Sequence, residues 1–162
     1  MSAELDFRLA TAADVDVIHA LLLQLADSTG QQQKFHSRVE DFLKFGFSDD
    51  PQFEALLAEQ DGNVIGLSLF FYNFSSWRGE PGVYIQDLVV DHEARARGTG
   101  RALLHETVRH ARQHGATHLR LAVEEDNVTA IRFYEAVGLK ESSSERIFAA
   151  FDNDFLNLAK PQ

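Results

Sequence analysis

The stretch VYIQDLVVDHEARARGTGRALLHETVRHA, from Val83 to Ala111, decides how this chain is read. Val83 to Val90 is β-branched and apolar and reads as a strand, Arg95 to Gly100 is an Arg/Gly loop, and an amphipathic helix starts near Thr99. A strand-loop-helix unit of this kind aims bare backbone N–H groups and the positive end of the helix dipole at whatever occupies the loop. Arg95, Arg97 and Arg101 crowd that turn in a chain of net charge −10, so the local field opposes the global one and an anion site is expected. A glycine-rich turn with solvated arginines would give the same pattern. No Gly-Lys-Ser/Thr follows, and Leu103 stands where the third glycine of a dinucleotide fingerprint belongs, so neither nucleotide motif is present.

At 162 residues and 44% hydrophobic, the chain suits a single domain over 1–162, of α/β (α+β) class. The acidic balance speaks against nucleic acid and membrane surfaces as partners, because both select clustered Lys/Arg. Cysteine is absent, which excludes disulfides, thiolate metal sites and cysteine nucleophiles. Met1 to Ala10 has neither a basic n-region nor an apolar h-region, so a cytoplasmic protein is expected.

Working outward, Phe7 to Leu9 reads as a first strand, with Thr11 and Asp14 placed to open a helix whose buried face includes Val15, Ile18 and Leu22. Ser37 and Glu40 have capping-box spacing before a helix ending at Gly46. Phe53–Glu59 and Val64–Phe74 form a hairpin about Asp61-Gly62-Asn63. After the Val83 strand, Leu103, Leu104, Val108 and Ala111 predict the buried stripe of the next helix. Thr117 to Val123 predicts a strand parallel to Val83–Val90, Asn127 to Val137 a helix, and Arg146 to Phe151 a last strand.

Two motifs together resemble the GCN5-related N-acetyltransferase superfamily. The loop Arg95-Ala96-Arg97-Gly98-Thr99-Gly100 looks like its R/Q-x-x-G-x-G/A pyrophosphate loop, and Asn127-Val128-Thr129-Ala130-Ile131-Arg132-Phe133-Tyr134-Glu135-Ala136-Val137-Gly138 like its N-x-x-A-x-x-F-Y-x-x-x-G-F signature. The resemblance implies a mixed central sheet of about six to seven strands, mostly antiparallel with a parallel central pair and about four flanking helices. It implies acetyl-CoA as cosubstrate, held by Arg95, Ala96, Arg97, Gly98, Thr99, Gly100 and Arg101, by strand amides at Leu88, Val89 and Val90, and by Asn127, Ala130, Phe133 and Tyr134. Phe71 to Trp77 and Gly82 to Leu88 are most similar to the diamine (spermidine/spermine, thialysine) group, which implies a small-molecule amine acceptor and a homodimer. That group has Glu-Asp where this chain has Gln86-Asp87, and a neutral amide cannot act as a general base.

Acyl transfer to an amine needs a neutral nitrogen, a polarised thioester carbonyl and a proton for the departing thiolate. Tyr134 is the candidate acid, Asp87 the candidate acceptor of the amine proton or holder of a cationic substrate, and Gln86 a candidate orienter of the amine or a water. A core tyrosine and a structural aspartate are the plain alternatives. Trp77 and Tyr72 are candidate substrate residues within an aromatic run that alternation otherwise assigns half to the core. No metal is expected: His105-Glu106 and His110 miss H-E-x-x-H by one residue, and His110 and His114 read as a solvated helix face. The reading is an N-acetyltransferase acting directly on a small amine. A non-catalytic acyl-CoA-binding module, or an acetyltransferase for a peptide or antibiotic amine, remains open.

Overall fold

A computed structural model describes residues 4–142 and 144–161, in two compact units, Met1–Asn127 and Val128–Gln162. In the first unit the order is β1 (Leu5–Leu9), α1 (Val15–Ser28), α2 (Val39–Gly46), β2 (Glu54–Gln60), β3 (Asn63–Ser75), β4 (Glu80–Val90), α3 (Thr99–Gln113) and β5 (Leu119–Arg120). The five strands form one sheet in the order β1-β2-β3-β4-β5, antiparallel except for the β4/β5 pair. The expected six to seven strands are therefore five among the described residues.

Alternation along the strands divides the core between two faces. On one, Val15, Ile18, Leu21 and Leu22 of α1 and Phe42 of α2 pack with Ala55, Leu57, Leu67, Leu69 and Val89. On the other, α3 buries Leu103, Leu104, Thr107 and Ala111. The α3 stripe differs from expectation at one position: Val108 is 41% exposed, and Thr107 is buried in its place, its Oγ1 donating to the Leu103 carbonyl at 2.8 Å. That bond lets a hydroxyl sit in the core without an orphaned donor.

Two local devices fix the entry into the helices. Asp14 accepts from the Thr11 amide at 2.7 Å and from the Arg8 guanidinium through both carboxylate oxygens at 2.8 Å, which ties β1 to α1 and holds its carboxyl well below the usual carboxylate range. At α2 the cap lies one residue later than the Ser37/Glu40 spacing predicts: the Arg38 amide donates to Asp41 at 2.8 Å.

The second unit holds α4 (Val128–Ala136) and α5 (Asp152–Leu158). Arg146 to Phe151, expected as a strand, has no ladder partner among the described residues, and α5 was not foreseen from sequence.

Candidate active site

β4 carries the site because three features coincide on it. First, Leu69 pairs with Asp87 while Phe70 pairs with Ile85, so Gln86 is the extra residue of a β-bulge and is exposed. A bulge bends the strand and re-aims the side chains beside it. Second, β5 pairs with β4 only at Val83 and Tyr84, so the β5-facing edge of β4 has no strand partner from Ile85 to Val90 among the described residues. Parallel strands that meet at their starts and then lose pairing leave a crevice with unsatisfied backbone groups at their carboxyl ends. Leu88, Val89 and Val90 lie along that edge. Third, Asp87 is half-buried on the α1 face, opposite Leu69, and burial pushes its carboxyl up to about 6. Its side chain makes no hydrogen bond or ion pair among the described residues, so nothing but desolvation acts on it.

Beyond β4 the chain turns through Asp91 and a short 3₁₀ turn into the Arg/Gly loop. Ala96 and Gly98 both take left-handed φ, 61° and 85°. Only the glycine does so without steric cost. Gly98 is the N-cap of α3 and supplies no side-chain cap, the first helical turn holds no acidic residue, and open space lies over the Gly98 Cα. Ala102 donates to the Gly98 carbonyl, whereas the amides of Thr99, Gly100 and Arg101 find no acceptor among the described residues. Arg97 and Arg101 are exposed and make no ion pair there. Arg95 is committed in part: its Nε donates to the Val90 carbonyl at 3.0 Å, joining the loop to the end of β4. Orphan amides, an open glycine and uncommitted guanidinium groups suit a diphosphate.

The loop is anchored by residues that local spacing does not reveal. Gln24, on α1, donates from Nε2 to Asp91 at 2.9 Å, and its Oε1 lies 3.4 Å from His92 Nδ1. Asp91 also accepts from the Glu93 amide at 2.9 Å. These bonds hold its carboxyl below the ordinary value. A cavity of about 360 Å³ opens beside them, lined by Gln24, Asp27, Ser28, His92 and Arg95. Phe71 and Tyr84 were likewise unforeseen as a pair; their rings stack at 5.1 Å and 24° on the Asp87 face, two register steps toward the hairpin tip.

The aromatic candidates separate. Tyr72 lies on the α3 face, opposite to Asp87, edge-on to Phe70 and 5.9 Å from His114, and burial with Glu54 nearby pushes its phenol up to about 12. Trp77 is 99% exposed in the turn that closes β3 onto β4, roughly 20 Å along the strand from Asp87. Neither ring meets Asp87 within the chain. His110 is not a solvated residue: only 14% exposed, it meets Glu54 at 2.8 Å.

Asn127 ends the first unit, its amide donating to the Glu124 carbonyl at 3.0 Å. In the second unit α4 carries Ala130, Phe133 and Tyr134, all half-buried, with the Phe133 and Tyr134 rings 5.1 Å apart. Gly138, at φ 100°, closes the helix, its amide donating to the Glu135 carbonyl.

Comparison with known proteins agrees with this geometry. The acetyltransferase (GNAT) family profile matches residues 19–139. Thialysine N-epsilon-acetyltransferase of Bos taurus is 28% identical over 142 residues, covering 83% of each chain. Aminoalkylphosphonate N-acetyltransferase of Salmonella typhimurium is 33% identical over 141 residues, covering 85% of this chain and 86% of that one. Among solved structures, an integron cassette protein of V. cholerae superposes with a TM-score of 0.81 at 19% identity, over 97% of this chain and 98% of that one. The chain belongs to the acetyltransferase (GNAT) family and is an N-acetyltransferase.

Proposed function

We propose that the protein transfers an acetyl group from acetyl-CoA directly to the primary amine of a small molecule with a polyamine-like or amino-acid-like chain. The observation that carries this reading is Asp87: a half-buried carboxylate without a partner, beside a bulge, where β4 loses β5. Such a group attracts a cationic amine and, near neutral pH, is ionised and able to take its proton. The stacked Phe71 and Tyr84 rings offer an apolar floor to a short carbon chain next to it. The names of two relatives, a thialysine and an aminoalkylphosphonate acetyltransferase, also specify small acceptors.

When bound, acetyl-CoA supplies the activated acyl group. The amides of Thr99, Gly100 and Arg101, with Arg97 and Arg101, hold its diphosphate, and Leu88 to Val90 offer backbone groups to its pantetheine arm. The family signature implies that Asn127, Ala130 and Phe133 also bind acetyl-CoA. Asp87 accepts the ammonium proton, directly or through a water that Gln86 orients. Tyr134 Oη donates a proton to the departing sulfur. The reaction runs in the cytoplasm, without a metal, nucleic acid or membrane.

Gln86 supports a second reading, an acyl-CoA-binding module that does not turn over, because this exposed amide occupies the position of an acid in the diamine group. Thiol release from acetyl-CoA, measured against diamines, lysine analogues, aminoalkylphosphonates, aminoglycosides and a peptide amine, separates the readings. Turnover on a small aliphatic amine supports the first. Tight cofactor binding with no turnover on any amine supports the second, and a preference for the aminoglycoside or peptide overturns the proposed acceptor class.

A further inference from the structure

On the Asp87 face of β3 and β4, polar side chains reappear beyond the stacked rings, where the acetyl-transfer chemistry gives them no role. Phe71 pairs with Tyr84 and, one alternation further toward the hairpin tip, Asn73 pairs with Gly82, so the Asn73 side chain stands on this same face. β5 adds His118. A Cβ on Gly82 would collide with the His118 ring, most closely at Nε2, so the imidazole fills the place of the side chain that Gly82 lacks. Side chains directly opposite one another on a sheet face have Cβ atoms about 4.5–5.5 Å apart. His118 Nε2 is therefore within reach of a group that meets Asn73.

Both groups have hydrogen-bonding capacity to spare. Asn73 Oδ1 is buried without a partner, and the Asn73 side chain makes no hydrogen bond among the described residues. Its terminal torsion is soft, so the amide turns toward an incoming group at little cost. Beside His118, Thr117 Oγ1 donates to Glu80 at 2.7 Å and lies 3.5 Å from His118 Nδ1. With its one proton given to Glu80, that hydroxyl can only accept from the neutral ring, which puts the imidazole proton on Nδ1 and leaves a lone pair on Nε2. The Glu80 carboxylate is itself taken, by Thr117 and by Arg78 at 3.3 Å. What stays uncommitted at this end of the face is neutral. An ammonium placed there would give up its water without gaining a counter-charge, whereas a hydroxyl or amide both donates to Oδ1 or Nε2 and accepts from Asn73 Nδ2.

We infer, resting on the reading of Asp87 as the amine site, that Asn73 and His118 set acceptor specificity by binding an uncharged polar group, a hydroxyl or amide, at the end of the acceptor remote from its reactive amine. From Leu69, opposite Asp87, to Asn73 is four residues of β3, about 13 Å at about 3.3 Å per residue. An extended chain of about eight to ten carbons covers that span. Its middle lies over the Phe71 and Tyr84 rings, which take an apolar chain and ask nothing of its charge. A second ammonium at the far end is the group this arrangement disfavours.

Three amines with the same eight-carbon chain test this: one ends in a hydroxyl, one in a second amine and one in a methyl group. In thiol release from acetyl-CoA by the full chain, kcat/KM for the hydroxyl-ended amine is expected to exceed that of the other two by about tenfold. The four-carbon set, too short to reach Asn73, should show no such advantage. Asn73→Leu should bring the ratio to about one, and His118→Phe, which keeps a ring over Gly82, should lower it several-fold. Turnover without that preference, or with a preference that survives both substitutions, overturns the inference and leaves the acetyl-transfer reading standing. If no amine turns over, that reading fails, and calorimetric titration of the same amines into the protein with coenzyme A decides the matter at Asn73 and His118. Tighter binding of the long hydroxyl-ended amine supports the inference there, and equal binding overturns it.

Discussion

The side-chain amide of Gln24, on α1, donates to the Asp91 carboxylate at 2.9 Å, across 67 positions of sequence. Asp91 is where the chain leaves β4 for the Arg/Gly loop, so this bond helps to set where the loop begins relative to the helix that covers the sheet. Gln24→Ala removes the donor and leaves the Asp91 carboxylate with the Glu93 amide as its remaining hydrogen bond, beside His92 at 3.8 Å. It should lower stability by about 1–2 kcal/mol and raise KM for acetyl-CoA several-fold with a smaller change in kcat, as steady-state kinetics and denaturant melts would show. An unaltered KM would mean that the loop is held elsewhere.

Asp87 makes a prediction in pH. Burial raises its folded-state carboxyl to about 6, above the ordinary value of 3.8. A carboxyl raised in the folded state stabilises the fold fully at pH below its unfolded value, and that contribution is lost as pH rises through about 6. Asp87→Asn should therefore flatten the decline in stability between about pH 4 and 6. The same substitution should remove the rise in kcat/KM through about pH 6 that reports ionisation of the proton acceptor, with a rate loss of about 100-fold or more. A variant that keeps both the acid limb and the rate would remove Asp87 from the chemistry.

Arg97 and Arg101 are exposed and unpaired among the described residues, so their loss costs the fold nothing visible. Arg97→Glu with Arg101→Glu should weaken acetyl-CoA binding by about tenfold or more, most strongly at low salt, with an unchanged melting temperature. Titration calorimetry at two ionic strengths checks both parts.

Tyr134→Phe keeps the ring against Phe133 and deletes only the hydroxyl. If Tyr134 protonates the leaving thiolate, kcat should fall by about 100-fold while the dissociation constant of acetyl-CoA stays put. An unchanged rate would assign the proton to another donor.

How much of this was legible in sequence depends on the range of the interaction. The β4-loop-α3 unit was legible because its signals are local: β-branched residues, a glycine that can take left-handed φ, and apolar residues at helical spacing. The bulge at Gln86 was not, because a register shift is a property of the pair Leu69/Phe70 with Ile85/Asp87 and leaves no mark on either strand alone. The Gln24–Asp91 bond and the Phe71–Tyr84 stack join distant positions and were invisible for the same reason. Alternation did place Tyr72 and Phe71 on opposite sides of β3, but only the bulged register with β4 puts Asp87 on the Phe71 side. Val108 and Thr107 show the limit of reading burial from hydrophobicity: the hydroxyl bonded to Leu103 takes the inner position because geometry, not residue type, assigns it. The expected strand at Arg146 to Phe151 had the right residues and lacked a partner in the described chain, which is the one thing periodicity cannot report.

The central claim is direct acetyl transfer to a small amine, and the most direct test counts both products of one reaction. Purified protein is mixed with acetyl-CoA and a diamine or lysine analogue, and free thiol is quantified alongside N-acetylated amine by nuclear magnetic resonance. The account predicts equal amounts of the two, appearing together over many turnovers and falling together in Asp87→Asn. Thiol released without acetylated amine, or no release with acetyl-CoA bound, would contradict it.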